Sequence, residues 1–166
     1  MTAIVVAVTN RKGGVGKSTT TLSLSGFYAE QGHRVLLLDN DPQASLTTGF
    51  FGPSVTDNLG THDTIAALYD DNVDPTPDEL LRTTDVPGIT IVPSSKHLAH
   101  FNFPAPETTG LLQFTLRDFI LDVRESFDLI LIDNPPTIQL ASWAALTAAD
   151  FCLIPSQPED FGSNGN

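Results

Sequence analysis

Asn10-Arg11-Lys12-Gly13-Gly14-Val15-Gly16-Lys17-Ser18-Thr19 is the stretch on which the fold turns. An apolar, β-branched run, Ala3 to Val8, leads into it, and a helical pattern, Thr19 to Gln31, leads out. Strand, glycine-rich loop and helix in that order form the context of a phosphate-binding loop. The glycines let backbone N–H groups converge on phosphate oxygens with no Cβ in the way. The new helix adds its positive N-terminal end. Lys17 supplies a mobile charge for β- and γ-phosphates, and the Ser18 hydroxyl is placed to ligate Mg²⁺. A plain turn between a strand and a helix has no need of two lysines, three glycines and a Ser-Thr pair at these offsets.

The next strand repeats the logic. The helical pattern carries Leu22, Leu24, Phe27 and Tyr28 and stops at Gly32, and Val35-Leu36-Leu37-Leu38 is a second apolar strand, which completes a βαβ unit. It runs into Asp39-Asn40-Asp41-Pro42-Gln43. In a parallel α/β sheet the residues past the carboxyl ends of strands line the ligand crevice. Two carboxylates one residue apart, beside a phosphate loop, can hold Mg²⁺ through water and orient an attacking water. Alone, Asp-x-Asp-Pro is an ordinary strand-end turn. Its position on the strand after the loop makes it chemical. Phe127-Asp128-Leu129-Ile130-Leu131-Ile132-Asp133-Asn134-Pro135-Pro136 has Walker B form, a buried strand that delivers Asp133 toward Mg²⁺.

The remaining pattern fills in an α/β domain. A short helix is expected over Ala44 to Gly49, a helical turn over Thr64 to Tyr69, and a strand over Gly88 to Val92 that ends in Ser94 and Ser95. Those serines either face the ligand side or form a plain turn. Residues 53–88 carry eight acidic residues against Arg82 alone and read as a solvated connecting lobe, or as a surface for a basic partner. His97 and His100 have no third ligand nearby in sequence and read as non-metal residues. An amphipathic helix over Thr108 to Ser126 has Leu111, Leu112, Leu116, Phe119, Ile120 and Val123 as its buried stripe. Ser142 to Ala149 read as an Ala-rich helix and Phe151 to Pro155 as a fifth strand. The fold expected is a three-layer α/β domain, a mostly parallel sheet of at least five strands flanked by helices; resemblance to one branch of P-loop proteins implies that the loop strand lies beside the Walker B strand.

Composition narrows the functional classes. The 166 residues fit one domain and carry a formal charge of −12. Three of the eight basic residues belong to the loop, and the rest form no stripe along which a nucleic acid backbone would lie. Cys152 sits in an apolar run and is expected to be a buried thiol; one cysteine allows no internal disulfide, which suits a cytoplasmic location. No stretch reaches the length of a membrane span or has the pattern of a signal peptide.

Three motifs carry a family resemblance over nearly the whole chain. A plain phosphate loop would have its first glycine at position 11, which is Arg11; the loop is instead Lys-Gly-Gly-x-Gly-Lys-Ser with an early Lys12. This resembles the deviant Walker A of the ParA/MinD family of ATPases. The Asp-x-Asp-Pro-Gln form at 39–43 is similar to the switch I of ParA proteins more than to that of MinD-like ones. The Asp-x-Pro-Pro at 133–136 is similar to ParA relatives too, with Asn134 where many have Thr or Cys. The resemblance implies a P-loop NTPase fold with ATP and Mg²⁺ on Lys12, Gly13, Gly14, Val15, Gly16, Lys17, Ser18 and Thr19. Ser18 would hold the metal directly, with Asp39 and Asp133 in its outer shell, and Thr19 would contact the α-phosphate. Lys12 would reach the partner's nucleotide across an ATP-dependent homodimer, and Asp41 would position the hydrolytic water. Slow, partner-stimulated ATP hydrolysis would then drive plasmid or chromosome partitioning with a centromere-binding, ParB-like protein.

The loop starts 12 residues in, which points to the small ParA type lacking an N-terminal helix-turn-helix. The close, with Gln157-Pro158-Glu159 and Phe161, matches a segment that opens a further helix in relatives, so a fragment is expected. DNA binding would need a basic surface from the missing C-terminal lobe. Two rivals are a MinD-like positioning ATPase that cycles on membranes, which would need a C-terminal amphipathic helix, and a nucleotide-binding module without turnover.

Overall fold

The computed structural model describes residues 2–101 and 110–157. Four apolar runs become the inner parallel strands β1 (Ile4–Val8), β2 (Val35–Asp39), β4 (Ile89–Val92) and β5 (Leu129–Asp133). A short β3 (Arg82–Thr83) and β6 (Phe151–Leu153) close the order β3-β4-β2-β5-β1-β6. All pairs are parallel except β3 with β4. Among the described residues the sheet therefore has six strands, and the loop strand β1 lies against β5, as expected. Every residue of β2 and of β5 is buried, the signature of central strands covered on both faces.

Alternation along the strands sorts side chains into two apolar layers. Leu36, Leu38, Ile130, Ile132, Val5 and Ala7 face one side, covered by α5 (Thr115–Val123), α6 (Leu140–Ala148) and the 3₁₀ turn Ile65–Tyr69. Val35, Leu37, Ile89, Ile91, Leu129 and Leu131 face the other, toward α1 (Lys17–Glu30) and α2 (Ser45–Phe51). Short helices α3 (Pro53–Asn58) and α4 (Pro77–Leu80) decorate the link between β2 and β4. Arg34 grips Asp128 through two guanidinium nitrogens and its own backbone N–H, fixing the start of β2 against the start of β5. That grip holds the Asp128 carboxylate down at about 2. Among the described residues, no helix is long and apolar enough to cross a membrane.

Several expectations change. Ile65, Ala66, Ala67, Tyr69 and Leu80 are buried, so residues 53–88 are not merely a solvated lobe; their acidic residues ring a segment that plugs the core. The stripe of the 108–126 region holds at Leu116, Phe119, Ile120 and Val123, but Leu111 is 82% exposed, because the chain there is a 3₁₀ turn (Gly110–Phe114) whose tighter winding turns it off the sheet. The start of that helix, Thr108, lies outside the described residues, as do Pro158, Glu159, Phe161 and the close of the chain. In α1 the small residues Thr21 and Ser25 face the sheet, and Leu22, Phe27 and Tyr28 point outward. Cys152 is exposed rather than buried: among the described residues its strand β6 is the sheet edge.

Leu36→Ala removes a wholly buried side chain from the central strand and is expected to cost about 2–5 kcal/mol in urea unfolding, whereas Leu111→Ala should stay within about 0.5 kcal/mol of the parent.

Candidate functional site: a phosphate loop facing buried carboxylates

The loop is built by two left-handed glycines and by the strand beside it. Gly14 and Gly16 have φ of 72° and 86°, a conformation that side chains with a Cβ resist. Gly16 is the residue from which α1 departs, and Thr20 N–H returns to its carbonyl at 2.8 Å. The Asn10 side chain accepts the Lys12 N–H at 2.9 Å and donates to the Pro155 carbonyl at 2.8 Å. Gln157 donates to the Gly14 carbonyl at 3.3 Å, so the segment after β6 braces the loop from outside. Lys12 stands on the exposed side of the loop, whereas Lys17 is buried.

A cleft of about 350 Å³ opens over this loop, lined by Gly13, Gly14, Gly16, Lys17, Ser18, Thr19, Asp41, Gln43, Ser45 and Pro136. Val15 turns inward and is buried, so only its backbone is available to a ligand. An adjoining cleft shares Asp41 and runs past Pro42, Pro135, Thr137 and Gln139.

Behind the cleft three carboxylates converge because strand register puts them there. Asp39 and Asp133 are directly paired across β2 and β5. Asp39 is wholly buried, and one of its oxygens accepts both the backbone N–H and the hydroxyl of Thr47, at 2.8 and 2.6 Å. Among the described residues its other oxygen has no hydrogen-bond partner. Burial pushes its pKa up to about 7, against the Thr47 bonds and with added repulsion from Asp133 and Asp41. Asp133 has no full hydrogen bond on either oxygen. Burial raises it to about 6, offset by the nearby Ser18 hydroxyl and by the charge of Lys17. Asp41 is raised as well, chiefly by burial, while the Gln43 N–H it accepts at 2.9 Å and the Lys17 charge hold it down. Carboxylate oxygens left without donors in a dry site, next to a serine hydroxyl and a phosphate loop, are the donor set that a hard divalent cation satisfies.

Two residues beyond the motifs support this set. Thr47 holds Asp39 and also accepts the Ser94 N–H at 2.8 Å, and the Ser94 hydroxyl donates to the Asp41 carbonyl at 2.8 Å. Neither reading of Ser94 and Ser95 describes them: both are buried and line no part of the cleft, and Ser94 grips the backbone of Asp41 behind it. Thr47 carries no sequence signal except its place one turn into the helix after the Asp-x-Asp turn. His97 and His100 stack on each other with ring centres 6.2 Å apart, on a separate 3₁₀ turn.

The fold and the loop define a P-loop nucleotide-binding domain. A family model described as an AAA domain matches residues 3–166. The chain is 33% identical over 165 residues to the chromosome partitioning protein ParA of Caulobacter vibrioides, covering 97% of this chain and 58% of that protein. Among solved structures, a plasmid partition protein of Borrelia burgdorferi bound to AMPPNP superposes with a TM-score of 0.80 at 27% identity, over 96% of this chain and 65% of that one. A cobyrinic acid a,c-diamide synthase of Mycobacterium smegmatis, with a bound ATP analogue and magnesium, gives 0.81 at 32% identity over 98% and 64%. The chain belongs to this AAA-domain family, and within it to the ParA-type ATPases. It spans little more than half the length of its ParA relative.

The raised carboxylates have a thermodynamic signature. Where the folded state holds a proton that the unfolded state releases, stability falls as pH rises. For Asp39 the window runs from its ordinary value of 3.8 to about 7, and for Asp133 from 3.8 to about 6. In chelator-treated protein, unfolding free energy is expected to decline across this window, by up to about 1.4 kcal/mol per pH unit for each group, and Asp39→Asn should flatten the decline. Urea titrations at stepped pH values measure it.

Proposed function

We propose that the chain is the nucleotide-handling part of a ParA-type ATPase that works as an ATP-dependent dimerisation switch in plasmid or chromosome partitioning. The observation that carries the reading is a cleft lined by Lys17, Ser18 and Asp41, with Asp133 buried behind it beside the Ser18 hydroxyl and, among the described residues, without a full hydrogen bond on either oxygen. In this reading the backbone of Gly13 to Thr19 cradles the phosphates of ATP, with Lys17 on the β- and γ-phosphates and Thr19 on the α-phosphate. Ser18, Asp133 and Asp39 are the residues that would hold Mg²⁺, Ser18 directly and the two carboxylates through water. The bound ion neutralises charge that develops on the phosphate oxygens.

Asp41 is the residue assigned to the attacking water. Its backbone carbonyl accepts the Ser94 hydroxyl, and its carboxylate accepts the Gln43 N–H and lines the cleft opposite the loop. A raised proton affinity suits it to orient water and take up its proton. Lys12 stands on the exposed side of the loop, where it can reach the phosphates of a second chain. The nucleotide itself then bridges two chains, and hydrolysis removes that bridge. A ParB-like protein is the partner assigned to stimulate turnover, and the acidic residues of the 53–88 region offer a surface for basic groups.

Phosphate release measured beside binding calorimetry tests the reading and separates it from a module that holds nucleotide without turnover. Asp41→Ala is expected to keep MgATP affinity within about threefold and to lower kcat by about 100-fold or more. Lys17→Ala should abolish binding in the calorimeter. Lys12→Gln should leave nucleotide binding by the monomer in place and remove ATP-dependent dimers in light scattering; dimers that persist in that variant would refute the shared-site role.

A further inference from the structure

Beside the carboxylates lies a buried polar chain that the proposed chemistry does not use. Asn40 is wholly buried between Asp39 and Asp41. Its side-chain nitrogen donates to Asn134 Oδ1 at 3.0 Å and to the Ala141 carbonyl at 2.8 Å. Its side-chain oxygen accepts the Tyr69 hydroxyl at 2.9 Å. Asn134, next to Asp133, donates from its own side-chain nitrogen to the Val8 and Ile132 carbonyls, at 3.2 Å each. The contacts fix both amide orientations. Each nitrogen faces backbone carbonyls, which only accept, and the oxygens that remain face an N–H and an O–H. Burial raises the Tyr69 phenol, so it keeps its proton and remains a donor.

This chain ties together the ends of β1, β2 and β5, the first turn of α6 and the 3₁₀ turn Ile65–Tyr69. The Asn40 N–H also donates to the Asp133 carbonyl at 2.9 Å, so turn and strand end are linked by main chain and side chain together. The links are amides and a phenol, all neutral. A charged tie here would add to the repulsion among three crowded carboxylates, and an apolar filler would leave the turn free to shift.

We infer that Tyr69, Asn40 and Asn134 are positioning residues that hold the Asp41 turn in register with Asp133, and that through Tyr69 the acidic 53–88 region bears directly on the placement of Asp41. The inference rests on the ATPase reading for its kinetic consequence alone. Tyr69→Phe tests it, because one hydroxyl is lost while the ring that fills the core remains. In the full chain, hydrogen exchange at the Asn40 N–H is expected to quicken at least about tenfold. In steady-state turnover, kcat should fall about three- to tenfold with KM unchanged within about twofold. Tyr28→Phe, on the outer face of α1, should move neither quantity. Unchanged exchange at Asn40, unchanged kcat, or a change confined to KM would each overturn the positioning role. If the parent chain shows no turnover, the ATPase reading is what has failed, and the exchange measurement alone then decides the inference.

Discussion

Three carboxylates crowded at the ends of two central strands, with one buried lysine as counter-charge, set the terms for the rest of this molecule. Burial, helped by mutual repulsion and opposed by the local donors, lifts Asp39 to about 7 and Asp133 to about 6, so the site is costly to the fold when it is charged and lacks a ligand. The scaffold offsets that cost in specific ways. Thr47 gives two bonds to one Asp39 oxygen, Gln43 gives one to Asp41, and Lys17 pulls both Asp41 and Asp133 down. Apart from their terminal acids, β2 and β5 are apolar, and every residue in them is buried, which keeps those few polar contacts dry and therefore strong. Stability and chemistry pull in opposite directions here, the usual situation where a fold keeps reactive groups under tension.

Much of this was legible in the sequence because the relevant spacing is short. A phosphate loop is ten residues between a strand and a helix, and the loop sits where its glycines and lysines said it would. Asp39, Asp41 and Asp133 were legible for a related reason: parallel strands end on one edge, so any acid terminating an apolar run arrives at the same crevice. The neighbouring of β1 and β5 followed from the resemblance those motifs carry. The finer site was not legible. Thr47, Ser94 and Tyr69 reach the carboxylates or the turn between them across gaps of 8, 53 and 29 residues, and no local pattern marks a threonine or a tyrosine for such a bond.

Burial was misread where it depended on neighbours rather than on composition. Cys152 and Leu111 sit in apolar runs, yet one lies on a sheet edge and the other on a tight 3₁₀ turn. Conversely, the acidic run over 53–88 concealed five residues of core, because charge density hides a short apolar turn inside it. Helix α1 shows the same limit: Leu24 packs toward the sheet beside buried Thr21 and Ser25, while its Leu22, Phe27 and Tyr28 are exposed. Hydrophobic content says how much can be buried; the topology decides which residues are.

The two margins of the sheet are unlike. On one, the short antiparallel β3 caps the ladder. On the other, among the described residues, β6 has no outer neighbour, and Phe151 and Ile154 are each 62% exposed along it. Pro155 follows directly and lacks an N–H, which limits how far a pairing strand can extend. Backbone that paired with β6 would bury the apolar side chains there while pressing on the same segment, Pro155 to Gln157, that braces the phosphate loop.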